Sequence, residues 1–306
     1  MALTAFQKEK IIQALIAYYN SQWDGSDAQF ATVFDINPAV WARLKKGERE
    51  KVVRDEKLAT IGRMLDVHWK DNTPWQIVNT KVHTYITEQL AYCQQHSISR
   101  IYCDIADIGK TTAARQYKLR NKHAFYIDGS KHKSKQAFVR ALAKAVGAAE
   151  RGSLLKVIAD TVYLLQALDK PLVIIDEAGD LSYEAFLELK GYWNALEGYC
   201  GWYMLGADGL AKKIDNNIRN QKVGYPELFR RFGSEYMNVM RKLNPVEQKL
   251  LYASMANMIA TANLPAGSDA GGFVKARRIS SLTRLKEDIE KEKRKAPPGL
   301  PQGEEV

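Results

Sequence analysis

The sequence predicts a parallel α/β sheet set between helical stretches, the first a small all-α unit, and three observations carry the prediction of the sheet. Short apolar runs alternate with helix-length amphipathic stretches through the middle of the chain, which is how strands joined by crossover helices read. One run, in IYCDIADIGKTT (residues 101–112), ends in Gly109, Lys110 and Thr111 and opens into a helical pattern. Another, Leu172 to Ile175, is apolar throughout and ends in Asp176 and Glu177.

The first run reads as a phosphate-binding loop. Successive backbone N–H groups of Asp104, Ile105, Ala106, Asp107, Ile108, Gly109, Lys110, Thr111 and Thr112 wrap the phosphates. The lysine reaches the outer phosphates and the Thr111 hydroxyl ligates Mg²⁺ at a helix N-terminus. The pattern G-x-x-x-x-G-K-[ST] asks for glycine at position 104, where this chain has Asp104. A carboxylate facing the phosphates would oppose binding, so Asp104 is expected to point away, toward a backbone or basic group. ATP is the expected ligand, bound with moderate affinity and hydrolysed slowly.

A chain of 306 residues with 46% hydrophobic content can bury a substantial core and divide into two or three units. No apolar run is long enough to span a bilayer, and MALTAFQKEK lacks the basic-then-apolar order of a secretory signal, so no membrane partner and a cytoplasmic location are expected. Cys93, Cys103 and Cys200 lack C-x-x-C spacing and are expected to be buried thiols. A formal charge of +10 points to a polyanionic partner, with a basic surface tuned for solubility as the alternative.

Residues 1–68 read as short, closely joined helices. Thr4 with Gln7 forms a capping box ahead of Ile11, Ile12, Leu15, Tyr18 and Tyr19 at helical spacing. Ser26 or Asp27 caps a second helix through Phe34, Asn37 with Pro38 starts a third through Leu44, and Lys57 to Leu65 is a fourth. The stretch AQFATVFDINPAVWARLKKGER resembles the helix-turn-helix of phage repressors. On that reading Ala39, Val40 and Arg43 face bases, while Lys45, Lys46 and Arg49 lie near phosphates. A helical bundle used for protein contacts is the alternative. Residues 69–80, with Asn72, Thr73 and Pro74, read as a linker.

Residues 81–242 hold the alternating core. A helix from Val82 leads into the first strand. Ala124–Ile127 is a second strand, ending in Asp128, Gly129 and Ser130. Helices follow over Lys135–Val146 and Ser153–Leu168, then the strand ending in Asp176 and Glu177. A helix from Tyr183 to Leu196 leads to a fourth strand, Trp202–Leu205, and Tyr236–Met240 is a fifth candidate. The strands form a doubly wound sheet with its ligand at their C-terminal ends. There Asp176 can hold the water shell of Mg²⁺ and Glu177 can polarise an attacking water.

GKT, VIIDEAGDL, the glycine after the fourth strand and LFRRFG before the fifth together resemble the AAA+ ATPases, in particular the transposition-helper branch, the phage Mu B protein and TnsC-like family. The resemblance runs collinearly from about Thr80 to Ile289, and a helix-turn-helix ahead of the ATPase favours that branch. It implies Lys110 and Thr111 on phosphate and Mg²⁺, Asp176 at the metal and Glu177 as catalytic base. It further implies Arg231, with Arg230 as the alternate, as a finger reaching a neighbouring subunit's ATP, and hence a homo-oligomer, ring or helical filament. The polar residue expected after the fourth strand is Ala207, with Asp208 beside it, so that role is lost or shifted by one position.

Residues 243–289 match the helical lid of that family, opened by Asn244, Pro245 and Glu247 and interrupted by a Gly-rich turn near Gly267 to Gly272. The resemblance implies that one of Arg277, Arg278 and Arg284 contacts the terminal phosphate, with a solvated helix face as the alternative. Residues 290–306, with Pro297, Pro298 and Pro301, read as a disordered tail. Lys131, Lys133 and Lys135 after the second strand, and Lys212, Lys213 and Arg219 after the fourth, are candidates to follow a phosphate backbone.

The function expected is ATP-dependent, sequence-indifferent binding of double-stranded DNA by an oligomer that recruits or activates a DDE transposase. The alternatives are a helicase loader or replication initiator, and a nucleotide-gated, sequence-specific regulator.

Overall fold

The computed structural model describes residues 3–23, 25–49, 52–65, 67, 75–265, 267–277, 279 and 281–295. The N-terminal unit holds α1 (Ala5–Gln22), α2 (Asp27–Val33), α3 (Pro38–Lys45) and α4 (Asp55–Met64). Thr4 and Ser26 each close a capping box, and Asn37 caps α3 through the amide of Ala39. These helices bury a core of their own, centred on Ile11, Leu15, Phe30, Trp41, Leu44 and Ile61. At its polar centre, Asp27 accepts from Tyr19 Oη (2.6 Å), Trp41 Nε1 (3.1 Å) and Lys45 Nζ (2.5 Å), so one carboxylate ties α1, α2 and α3 together. Those bonds, that from Lys45 first, hold its pKa down at about 2.

Of the expected linker, residues 75–80 are described and form no helix or strand. Residues 68–74 lie outside the described residues, but Gln76 pairs its backbone N–H and C=O with the side chain of Asn263 at 2.8 and 2.9 Å. Asn263 is itself buried, so this pairing fastens the segment to the C-terminal helices.

The central unit runs α5 (Lys81–His96), β1 (Ser99–Cys103), α6 (Lys110–Arg120), β2 (Ala124–Asp128), α7 (Lys135–Val146), α8 (Leu154–Ala167), β3 (Leu172–Asp176), α9 (Tyr183–Ala195), β4 (Gly201–Gly206), α10 (Asp208–Arg219), α11 (Tyr225–Arg231) and β5 (Tyr236–Met237). The five strands form one sheet in the order β2-β3-β4-β1-β5, and each pairing is parallel. Strands β3 and β4 are buried along their whole length, as an apolar run covered on both faces must be. On one face the core draws on α7, α8, α9, α10 and α11, and on the other on α5 and α6. The helix after β1 and the helix after β3 therefore leave the sheet on opposite sides. That opens a crevice at the strand C-termini.

The fifth strand is two residues long where five were expected. The amides of Val239, Met240 and Arg241 turn to the Asp104 carboxylate, which ends the ladder.

The C-terminal helices are α12 (Pro245–Asn263), α13 (Ala270–Ala276) and α14 (Leu282–Lys295). Asn244 and Glu247 form the capping box of α12. The Gly-rich turn is shorter than expected, because Asp269 caps α13 through the amide of Gly272 and both Gly271 and Gly272 are helical. The expected tail also begins later: residues 290–295 belong to α14, and 296–306 lie outside the described residues. All three cysteines are buried thiols, as expected. No helix among the described residues is long and apolar enough to cross a membrane.

Candidate active site

The loop of residues 104–109 joins β1 to α6, and Gly109 is the N-cap of that helix at φ 90° with no side-chain cap. Space around its Cα is open, so the left-handed backbone and not crowding calls for glycine there. The first amides of α6 are left facing the crevice, the arrangement that receives an anion. Lys110 is buried and its Nζ turns back to the loop's own carbonyls, donating to Ile105 O at 2.5 Å and Asp104 O at 3.2 Å. Burial lowers its pKa, while the carboxylates of Asp104, Glu177 and Asp176 pull the other way.

Asp104 points away from the loop mouth, as the sequence reading expected. It is fully buried, and Oδ1 accepts from the N–H groups of Ile105 (2.8 Å) and Arg241 (2.9 Å). Oδ2 accepts from Tyr102 Oη (2.9 Å) and from the N–H groups of Val239 and Met240 (both 2.7 Å). Asp107, expected only as one of the loop's backbone N–H groups, is the second unusual residue of the loop. Its φ is 59°, in the region that favours glycine. Its carboxylate reaches the first turn of α14, accepting from Thr283 Oγ1 at 2.7 Å and Thr283 N–H at 3.2 Å.

Across the crevice, Asp176 closes β3. It is 2% exposed, and its carboxylate accepts from Tyr126 Oη at 2.7 Å and from the N–H of Glu177 at 3.0 Å. The guanidinium of Arg115, on α6, lies 5.5 Å from the Tyr126 ring centre. Glu177 follows at φ 49° with its side chain exposed. Its pKa is raised, first by partial burial of the carboxyl and then by the charge of Asp176, with Lys110 opposing. Gly129, at the end of β2, lies so close that a Cβ there would meet Glu177 O at 2.7 Å and Asp176 O at 2.9 Å. Only glycine lets the β2 end pass beneath this pair. A raised carboxylate beside a buried one, opposite a lysine and open helix amides, can take a proton from water next to a bound anion.

After β4, Ala207 offers no polar group. Asp208 forms an ion pair with Arg241 at 3.8 Å, beyond hydrogen-bond range. Arg241 is the residue whose amide is held by Asp104, so Asp208 reaches the same corner of the site.

Arg231 is not brought to this loop. Its guanidinium stacks on Trp193, 4.8 Å from the ring centre, and Trp193 Nε1 donates to Ser99 Oγ at the opposite end of β1. Five strand residues separate that end from the loop, about 16 Å of rise, so Arg231 stands away from the phosphate loop of its own chain. Arg230 is exposed. Of the C-terminal arginines, Arg277 is spent on Glu292 (3.0 Å) and the ring of Phe273, whereas Arg284 is exposed beside Thr283. Arg278 lies outside the described residues.

The basic candidates divide. Lys213 is a correction: its Nζ donates to Gly179 O (2.7 Å) and Leu181 O (2.5 Å) and lies over the ring of Phe186, so it staples α10 beneath β3 and faces inward. Lys45 is likewise drawn onto Asp27, over Tyr19 and Trp41. Arg43 pairs with Glu48, Lys131 with Asp128, Lys133 with Asp180 and Lys135 with Glu188. Lys46 and Lys212 are exposed.

Tyr126 and Arg115 were also missed from the sequence. Their link to Asp176 depends on the register of β2 against β3, which places Tyr126 opposite Ile174.

Residues 106–213 match the family described as AAA domain, a stretch that begins inside the loop and takes in Lys110, Thr111, Asp176 and Glu177. The match supports a nucleotide-binding, AAA-type ATPase core. It leaves out the N-terminal helices, Arg231 and α12–α14. Among curated proteins none matches the chain.

Proposed function

We propose that this chain is an ATP-dependent DNA-binding ATPase of the transposition-helper type, which oligomerises on duplex DNA and recruits or activates a DDE transposase. The observation that carries the reading is the convergence of Lys110, Asp176 and Glu177 on one crevice, in a unit preceded by four short helices with a core of their own. Residues 106–112 bind the phosphates of ATP; the N–H groups of Asp104 and Ile105, expected to join them, are taken by Gly206 O (3.3 Å) and by Asp104 Oδ1 (2.8 Å). Thr111 and Asp176 would hold Mg²⁺, which polarises the phosphoryl oxygens when bound. Among the described residues no cluster of three or more His, Cys, Asp or Glu could hold a metal alone, and a hydroxyl with one carboxylate suits an ion that takes its remaining oxygens from phosphates and water. Glu177 takes the proton of the attacking water. Helices α12–α14 form the lid, with Arg284 exposed beside Thr283, whose amide and hydroxyl bond the loop's Asp107. Arg231 completes the site of an adjacent subunit, which makes a homo-oligomer part of the mechanism.

The DNA contact is supported by exposed, exchangeable cations. The side chains of Lys131, Lys133 and Lys135 are themselves largely exposed although Asp128 and Glu188 are mostly buried, and an ion pair with one end in solvent is worth under about 1 kcal/mol, so a polyphosphate can compete for the lysines. Between α2 and α3, Asp35 takes φ 50° flanked by buried Phe34 and Ile36, giving the tight corner that a helix-turn-helix needs. That corner also favours the second reading, a sequence-specific regulator gated by nucleotide, with Arg43 and Lys46 on the exposed side of α3.

Electron microscopy of the protein with long duplex DNA, with and without a non-hydrolysable ATP analogue, tests the proposal. Analogue-dependent coating that grows with DNA length and ignores sequence is the expected result. A discrete footprint on one operator would transfer the reading to the regulator. Binding of a replicative helicase without coating would transfer it to a loader.

A further inference from the structure

Three consecutive amides end on one carboxylate. Val239, Met240 and Arg241 lie between β5 and α12, the only covalent route from the sheet to the C-terminal helices, and all three donate to Asp104. Tyr102 Oη and the amide of Ile105 bring the donors to five, at 2.7 to 2.9 Å, around a side chain with no solvent exposure. A carboxylate offers about four lone-pair sites, so the acceptor is saturated and no capacity remains for a ligand. The same residue touches the nucleotide lysine through its other end, since Asp104 O accepts from Lys110 Nζ. A glycine at this position would leave the three amides without their acceptor.

We propose that Asp104 is a positioning residue that makes the phosphate loop and the lid hinge one mechanical unit. Its side chain fixes the hinge and its carbonyl registers whether Lys110 is held by the loop or by phosphate. When Lys110 moves to the outer phosphates, the Asp104 carbonyl is released, the Asp104–Ile105 peptide is left held only through the Ile105 N–H on the Asp104 carboxylate, and the hinge amides follow that carboxylate as the peptide shifts. The inference rests on the nucleotide-site reading, and it explains why a charged residue is tolerated in the first position of an anion loop: its charge is used entirely on the far side.

Hydrogen exchange on the full chain tests it, comparing wild type, Asp104→Asn and Tyr102→Phe, each with and without Mg²⁺ and a non-hydrolysable ATP analogue, with binding followed separately by equilibrium titration. Without nucleotide, the 239–241 amides should exchange about a hundredfold faster in Asp104→Asn and about fivefold faster in Tyr102→Phe, with β3 unchanged. With analogue bound, wild type should change exchange at 282–285, and Asp104→Asn should bind without that response. If Asp104→Asn does not fold, unchanged hinge exchange in Tyr102→Phe overturns the anchor. A response at 282–285 of wild-type size in Asp104→Asn overturns the coupling while the nucleotide reading stands. Failure of wild type to bind the analogue removes the nucleotide reading and the coupling together, and the nucleotide-free hinge rates still decide the anchor.

Discussion

Tyr126 on β2 donates its hydroxyl to Oδ2 of Asp176 on β3 at 2.7 Å, and the other oxygen of that carboxylate is held by the amide of Glu177. The carboxylate proposed to support the metal is thus fixed in rotation by a neighbouring strand before any ligand arrives. Preorganisation of this kind lets a group act without reorienting in the transition state. Tyr126→Phe should therefore lower kcat for Mg²⁺-dependent ATP hydrolysis about tenfold and stability by about 1–2 kcal/mol, with KM for ATP changed less than kcat. Steady-state kinetics beside a urea titration would check it. A drop confined to KM would show that Tyr126 acts on binding instead.

Glu177 gives a prediction with a pH signature. Burial and Asp176 raise its pKa, so the protonated form persists above the ordinary glutamate range. Acting as a base requires the ionised form, and the acid limb of the hydrolysis profile should lie above that range. For folding the sign is the same at each step. Between the ordinary and the raised value the native state binds more protons than the unfolded chain, so stability falls as pH rises through that window. Glu177→Gln should remove both the pH limb and the window, and cut hydrolysis about a thousandfold while ATP still binds. A wild-type profile flat through that window would overturn the assignment.

Lys212 and Lys213 stand side by side on α10 and read alike in the sequence, yet one is exposed and the other is bonded to two carbonyls. Lys213→Met should cost about 1–3 kcal/mol of stability, because Gly179 O and Leu181 O lose their donor. Its folded fraction should bind duplex DNA as wild type does. Lys212→Ala should leave stability unchanged and reduce the salt dependence of binding by about one phosphate contact. Salt-titrated binding curves normalised to folded protein separate the two, and the reverse pattern would restore Lys213 to the DNA surface.

These cases show where the sequence speaks and where it falls silent. Leu172 to Asp176 is legible because a short apolar run ending in two acids has one economical home, a buried strand with its tip in a crevice. Helix starts at Thr4, Asn37 and Asn244 are legible because a cap is a local contact. What is not legible is set by tertiary pairing. The order β2-β3-β4-β1-β5 and the meeting of Tyr126 with Asp176 depend on strand register, and nothing near Asp104 reveals that its acceptors serve amides more than 130 residues away. The shortened β5 has the same cause. Adjacent lysines on a helix differ only by about 100° of rotation, which decides their fate after the helix has docked.

Arg231 and Arg230 can be told apart by the packing of the first. Arg231 stacks on Trp193 at the end of the sheet away from its own loop, with Nη1 buried and lacking a hydrogen-bond partner. In the proposed oligomer the remaining nitrogens of that guanidinium, held in place by the aromatic face, would meet the neighbouring subunit's phosphate. Arg231→Ala should lower hydrolysis by about a thousandfold with ATP affinity within twofold, roughly, of wild type. Mixing it with Lys110→Ala should restore part of the rate, since each variant lacks a different half of a shared site. Recovery with Arg230→Ala in place of Arg231→Ala would move the role to the exposed neighbour.

Asp107 offers the last test, because its conformation and its partner both bear on nucleotide entry. At φ 59° a non-glycine residue carries backbone strain on the order of 1 kcal/mol, and its carboxylate holds Thr283 at the start of α14. Bringing phosphate to the loop puts negative charge beside that carboxylate, which weakens binding. Asp107→Gly relieves the strain, removes the charge and frees α14 in one change, so its affinity for a fluorescent ATP analogue should rise about tenfold. Thr283→Val removes only the hydroxyl donor and keeps both the charge and the strained backbone, so it should shift affinity about twofold or less. Equal effects of the two substitutions would mean that the latch to α14 dominates. An Asp107→Gly protein that binds more weakly than wild type would mean that the carboxylate helps shape the loop for its ligand.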